Sequence, residues 1–295
     1  MGTWRWMVGL LLGPLFGCAQ AHAPADVTPP HDTFVLASRH TRETRVINVY
    51  LPPGYTREGQ GVAYPTLYLP DGGAKEYFPR LAHALDAGIR AGTVRPMLLV
   101  GIESTQRRRD LTGPTSVASD RSIAPRVGGS AAFRAFIAEE LIPAVESRYR
   151  VAASRGIIGE SLAGLFVVET LFEQPALFDT YLALSPSLWW NDAALVKGAK
   201  SRMAAGPALQ GRLFVASANE DNIAPQVAAL GRALRAGRPR GLYWTVKPRP
   251  DLNPSNLYRT LAPQLLVDYY GAVSAQDVAV ADPVRREGEA TVETE

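Results

Sequence analysis

Short, nearly continuous apolar runs alternate along this chain with longer stretches in which apolar residues recur every three or four positions. The runs are Thr66 to Leu69, Met97 to Ile102, Ile157-Ile158, Tyr181 to Leu184, Leu213 to Ala216 and Leu242 to Val246. Such segments read as strands buried on both faces, so the sheet is expected to be mostly parallel and covered by helices. Ahead of them, Thr33 to Ser38 and Thr44 to Leu51 flank a polar turn at Arg39 to Glu43 and are closed by Pro52-Pro53-Gly54-Tyr55. That pattern predicts an antiparallel hairpin at the start of the sheet. Of the helical stretches, one shows Phe133, Phe136, Ile137, Leu141, Ala144, Val145 and Tyr149 at helical spacing, with Glu139, Glu140, Glu146 and Arg148 between them. One face of this helix therefore packs on the sheet. Pro143 inside it predicts a kink, because the ring removes a backbone donor and clashes with the preceding turn. The fold class expected is α/β.

The ends of the chain read differently. One positive charge precedes the apolar run Val8 to Phe16, which is too short to span a bilayer, so residues 1–21 read as a signal segment. Leu15-Phe16-Gly17-Cys18 resembles a lipobox, with cleavage before Cys18 and lipidation of that cysteine. The competing reading is cleavage after Ala21, which would remove Cys18. Residues 22–32, rich in Pro and Ala, are expected to form a tether, 33–272 the folded domain, and 273–295 a disordered tail without aromatic residues. The protein is thus expected to be exported to a bacterial cell envelope, touching membrane only through a lipid anchor.

Composition narrows the function classes. The chain is 46% hydrophobic and 20% charged, which is ordinary for a globular domain. A formal charge of only +3 is spread without a basic stripe, which argues against nucleic acid as a partner. Cys18 is the single cysteine, so neither an internal disulfide nor a cysteine nucleophile is available.

The candidate chemistry lies between Arg155 and Phe172, where a short apolar strand, Gly159-Glu-Ser-Leu-Ala and an apolar helix follow one another. This is the strand, sharp turn and helix of a nucleophile elbow, with Ser161 as nucleophile and small residues at Gly159 and Ala163. In that geometry the amide of Leu162 points at the place where an oxyanion forms. A second amide is expected from the loop after an earlier strand, and Asp71-Gly72-Gly73-Ala74 makes Gly73 the candidate. A plain tight turn is the alternative there. Trp189 and Trp190 could line a substrate cleft or could be plain core.

Several phrases now carry a resemblance: Asn48-Val-Tyr-Leu-Pro-Pro-Gly-Tyr, Leu69-Pro-Asp-Gly-Gly, Gly101-Ile-Glu-Ser-Thr-Gln-Arg-Arg-Arg-Asp-Leu-Thr-Gly-Pro, Gly159-Glu-Ser-Leu-Ala-Gly-Leu-Phe and Ser185-Pro-Ser-Leu-Trp-Trp-Asn. From Val46 to about Leu266 the chain resembles the esterase family that includes esterase D and the enterochelin esterases. The resemblance implies an α/β-hydrolase fold and hydrolysis of a small-molecule carboxylic ester through an acyl-enzyme, with no metal and no organic cofactor. It also implies that Glu220, in Leu213-Phe-Val-Ala-Ser-Ala-Asn-Glu-Asp, is the triad acid, with Asp221 the neighbouring alternative.

The same resemblance exposes a loss. Relatives write the histidine loop as Pro-Asp-Glu-x-His-Ser, and here it reads Pro250-Asp-Leu-Asn-Pro-Ser-Asn-Leu-Tyr-Arg. In frame, the histidine position is Pro254; a slip of one residue would place Asn253 there. Neither can accept a proton from serine. All four histidines, His22, His31, His40 and His83, precede Ser161, and His83 falls on the solvated face of its predicted helix. In a well-studied serine protease, loss of the histidine costs roughly a million-fold in turnover, about 8 kcal/mol, while binding and the oxyanion hole still supply about 10³ to 10⁴. Two readings follow: a weakly active or non-catalytic ligand-binding relative, or a working carboxylesterase with an unconventional base such as Asp251.

Overall fold

β1 (His31–Ser38) and β2 (Glu43–Tyr50) form the expected hairpin in the computed structural model, which describes residues 27–56 and 61–272. Its register runs from His31 opposite Tyr50 to Ser38 opposite Glu43, and Arg42 turns the corner with φ 55°. The chain continues through β3 (Tyr64–Pro70), α1 (Phe78–Arg90), β4 (Leu98–Ile102) and the short helices α2 (Arg107–Asp110) and α3 (Ala118–Ser122). Next come α4 (Ser130–Phe136), a π-helical segment (Ile137–Leu141), α5 (Ile142–Glu146), β5 (Val151–Glu160), α6 (Leu162–Glu173) and β6 (Thr180–Leu184). The last elements are α7 (Trp190–Lys197), α8 (Ala199–Ala205), β7 (Gln210–Ser217), α9 (Ala224–Gly237), β8 (Gly241–Pro248) and α10 (Leu257–Tyr270).

Eight strands form one sheet in the order β1-β2-β4-β3-β5-β6-β7-β8. β2 pairs antiparallel with β4, and every pairing from β4 to β8 is parallel. This is the mostly parallel α/β-hydrolase arrangement with an antiparallel hairpin at its start. β3 and β5 are neighbours, and the connection leaving β3 runs to β4 on one side while that leaving β5 runs to β6 on the other. Loops at the carboxyl ends of β3 and β5 thus meet across a topological switch point, where open α/β sheets bind ligands.

Alternating strand residues feed two cores. Ile157 joins the face covered by α4, α6 and α9, while Ile158 joins the face covered by α1 and α10. That parity decides which way residues at the strand tips point. α6 is buried almost all round, as its uniformly apolar sequence requires, whereas α1 buries Phe78, Leu81, Ala82 and Leu85 and exposes His83.

Three features depart from the sequence reading. β5 is ten residues long, because its first half is only partly buried and carries no apolar run. β8 is an edge strand and not buried on both faces; Tyr243 is 72% exposed. The disruption caused by Pro143 is spread over the π-helical turn just before it, which widens the helix so that Pro143 opens the next segment at a position where its missing donor is harmless. Among the described residues no helix is long and apolar enough to cross a membrane. The expected signal segment, Cys18 and the tail 273–295 lie outside the described residues.

Candidate active site

Ser161 joins β5 to α6 with φ 58° and ψ −117°, a conformation that L-residues adopt only when their surroundings enforce it. The enforcement is visible on both sides. A Cβ on Gly159 would sit 2.6 Å from the Ala163 carbonyl, so the close approach of strand and helix needs glycine there. The Ser161 N–H donates to the Leu184 carbonyl at 2.9 Å, and its own carbonyl accepts from Leu165 and Ser187. Leu162 follows in the first turn of α6, where its N–H has no carbonyl four residues back within the helix and stands at the positive end of the dipole.

Gly73 departs from its expected role. Its N–H donates to Glu76 Oε2 at 2.7 Å, and an added Cβ would meet the side chains of Glu76 and Glu103 at 2.8 Å. The amide expected at an oxyanion is thus held by a carboxylate. Gly72 is committed as well: its N–H donates to Ile102, and a Cβ would lie 2.4 Å from Gly101 Cα. These glycines are explained by the tight crossing of the β3 and β4 tips.

Around the Ser161 hydroxyl, the structure brings together β6 and β7. Ser187 Oγ, 2% exposed, lies 3.2 Å from Ser161 Oγ. Ser185 Oγ donates to Glu220 Oε2 at 2.9 Å and accepts from the Ala218 N–H at 3.2 Å. Glu220 is half-buried and faces this cluster, whereas Asp221 is exposed. Trp190 is buried and donates its indole N–H to the Gly113 carbonyl at 2.9 Å, which fits core rather than cleft; Trp189 is half-buried beside it. Asn191, Asp192 and Ala193 then run through three successive left-handed conformations. Asn191 Oδ1 accepts from Thr115 and Ser116, tying this turn to the segment before α3.

The loop after β8, where the resemblance implies a histidine, is fastened to the neighbouring strand tip. Arg249 N–H donates to Ser217 and Asn219 N–H to Leu252, which fastens residues 249–252 to the tip of β7 beside Glu220. Asn253 is consumed locally: its Oδ1 accepts from the Ser255 N–H and hydroxyl, and its N–H donates to Asn256 Oδ1. Pro254 is exposed and Leu252 is buried. Asp251 loses its claim as a substitute base. Arg249 grips both its oxygens at 2.8 and 2.6 Å and holds its proton affinity below the usual carboxylate range. The described histidines are engaged elsewhere: His31 packs edge-on against Phe78, His40 meets Glu139, and exposed His83 faces the Val27 carbonyl.

One group escaped the sequence reading. Glu160, 8% exposed, immediately precedes the nucleophile and accepts a 2.5 Å hydrogen bond from the Tyr77 hydroxyl. The Tyr77 ring lies 4.4 Å from that of Tyr258, whose buried hydroxyl has no hydrogen-bond partner among the described residues. Burial raises the proton affinity of Glu160, more than the Tyr77 bond and Arg107 lower it, and the charge of Glu220 adds to the rise. The available signal was strand parity, which sends Glu160 to the same face as Ile158. On the neighbouring tip, Asp71 is held by Arg107 Nε at 2.8 Å and by the Ser104 hydroxyl at 2.6 Å.

Comparison with known proteins agrees with this geometry. Residues 38–235 match the family described as Putative esterase. The chain is similar to the ferri-bacillibactin esterase of Bacillus subtilis, 32% identical over 57% of this chain and 62% of that protein. It is also similar to the siderophore triacetylfusarinine C esterase of Aspergillus fumigatus, 33% identical over 46% of this chain and 49% of the other. The matched stretch thus spans about half to three fifths of these relatives. A solved IroE-like serine hydrolase from Shewanella oneidensis superposes with a TM-score of 0.72 at 27% identity, covering 82% of this chain and 80% of that one.

Proposed function

The chain belongs to the Putative esterase family, and from that premise we propose that it binds small-molecule carboxylic esters at Ser161 and cleaves them slowly, having lost the imidazole at residue 254. The observation that carries this reading is the Ser161 hydroxyl itself, set in a strained elbow with the hydroxyl of Ser187 beside it. In the proposed reaction Ser161 Oγ attacks the ester carbonyl, the Leu162 amide stabilises the oxyanion, and water later releases the acyl group. Gly73 can supply a second donor only if Glu76 releases its amide. Glu220 stands at the acid position, but with no imidazole to orient it bonds Ser185 instead.

Relatives named as siderophore esterases support a siderophore ester as the natural substrate class. Export by the signal segment 1–21, with lipidation of Cys18, completes the proposal at the level of the cell. Mass spectrometry of the mature amino terminus tests that part, and an unlipidated chain beginning at His22 counts against it.

The catalytic part is tested with activated short-chain esters and with a fluorophosphonate label on Ser161. Without its base the site is expected to hydrolyse esters slowly and to label slowly, with Ser161→Ala slower still because it removes the nucleophile and leaves only binding and the oxyanion hole. Equal rates in wild type and Ser161→Ala would remove Ser161 from the chemistry.

A further inference from the structure

Ser187 grips the nucleophile twice. Its N–H donates to the Ser161 carbonyl at 3.0 Å, and its Oγ lies 3.2 Å from Ser161 Oγ. The reaction as outlined gives that hydroxyl nothing to do. Ser187 is held from several sides: Pro186 precedes it, its carbonyl accepts from the Trp190 N–H at 3.1 Å, and Ser185 turns through φ 38° with its N–H on the Ala216 carbonyl at 2.7 Å. A Cβ on Gly164 would lie 2.9 Å from the Leu184 carbonyl and 3.1 Å from Pro186 Cα, so the turn after β6 is seated directly on the start of α6. Elbow and turn are packed as one unit, and the spacing of the two hydroxyls is a property of the fold.

Burial decides which hydroxyl donates. A buried O–H finds an acceptor in nearly every folded protein, because leaving it without one costs the desolvation of the group. Ser187 is 2% exposed, and among the described residues the partner of its Oγ is Ser161 Oγ. Ser161 is half-buried, so its own proton can turn to water or to a ligand. Donation from Ser187 to Ser161 satisfies both. Ser185, the other hydroxyl of this turn, is already spent on Glu220.

We propose that Ser187 is a catalytic residue of this site, whose hydroxyl donates to Ser161 Oγ and stabilises the negative charge this oxygen carries as it attacks and as it leaves; this rests on the reading of Ser161 as nucleophile. No proton passes between the two serines. With no imidazole present, Ser161 loses its proton to hydroxide, its Oγ–C bond forms, and the carbonyl electron pair moves to the carbonyl oxygen. Collapse of that adduct breaks the C–O bond to the alcohol, which takes a proton from water. Hydroxide then adds to the acyl-serine, and the C–Oγ bond breaks to release the acid and a Ser161 oxygen that is reprotonated by water. Ser187 keeps its proton throughout and bonds most strongly when Oγ is charged. A donor also lowers the reactivity of that oxygen, but reactivity falls less than one-for-one with basicity, as it does for thiolates, so the larger ionised fraction wins.

The charge on residue 161 and the turnover are measured separately. In Ser161→Cys the introduced thiol is titrated from about pH 6 to 10 by its rate of alkylation with iodoacetamide, followed on its own peptide by mass spectrometry so that Cys18 does not contribute. Adding Ser187→Ala is expected to raise the midpoint by about one pH unit. With Ser161 in place, Ser187→Ala is expected to lower serine-dependent kcat/KM on an activated ester about ten-fold. Ser187→Gly also deletes the hydroxyl and keeps the backbone bond to Ser161, so either variant decides if its melt stays cooperative. A merely structural hydroxyl would lower Tm and leave the midpoint in place. An unmoved midpoint in a folded variant overturns this inference alone, as does a folded Ser187→Ala protein that turns over as fast as wild type. If wild type and Ser161→Ala hydrolyse the ester equally, the functional reading falls and takes this one with it, whatever the midpoint.

Discussion

At Glu160 burial and ionisation oppose each other. A carboxyl whose proton affinity is raised by burial favours the folded state only while protonated, so its contribution is complete below the ordinary value of 4.5 and is lost as pH rises through the higher folded-state value. Glu160→Gln removes that liability and keeps the acceptor for Tyr77. We expect the variant to melt with wild type at pH 4 and above it at pH 8, by about 2–4 °C for each kcal/mol recovered. Paired melts at the two pH values check this, and a variant that melts lower at pH 8 would mean that the ionised carboxylate is structurally required. Ser161 tells the same story in its backbone, where a left-handed nucleophile is held by Gly159 and by the bond to Leu184.

Arg45 shows how elements are fastened near the site. It lies on β2, is 1% exposed, and pairs with Asp110 of α2 at 2.7 Å and with Glu43 at 3.2 Å, its guanidinium set against the rings of Phe133 and Phe136. The same Glu43 takes both amino groups of Arg109, which pulls its pKa down to about 2. Arg45→Met should leave Asp110 in the interior with Arg109 as its remaining cation and cost about 1–3 kcal/mol, a fall in Tm of about 2–10 °C. Adding Asp110→Leu should recover part of it, since Arg109 keeps Glu43; a single variant with unchanged Tm would show that Arg109 alone suffices for Asp110. None of this was legible beforehand, because the partners of Arg107-Arg108-Arg109-Asp110 follow no periodicity in the chain. The strands and the elbow were legible, since burial writes their periodicity directly into the chain. Side-chain commitments such as Gly73 to Glu76 are not periodic and left no trace, and the edge position of β8 depends on strand order, which an apolar run does not encode.

For the molecule as a whole, the candidate site is an assembly of strand tips: Asp71 to Gly73 from β3, Glu160 and Ser161 from β5, Ser185 and Ser187 from β6, Glu220 from β7, and the loop after β8. Where the resemblance implies a histidine, the last carries Pro254. Pro254→His should therefore raise serine-dependent kcat/KM on the order of 10²-fold, and Ser161→Ala in that background should erase the gain. Restoring the relatives' glutamate at Leu252 should not help, because that side chain is 8% exposed and packed in the core. No gain from Pro254→His would mean that the loop register is shifted. The bonds that hold this loop belong to Ser217, Asn219, Arg249, Leu252, Asn253 and Asn256. Residue 254 is exposed and is not among them, so proline and histidine should be interchangeable there at little cost to the fold. Under the proposed reading, the distance between binding and turnover at this site is one substitution, made where the architecture does not register it.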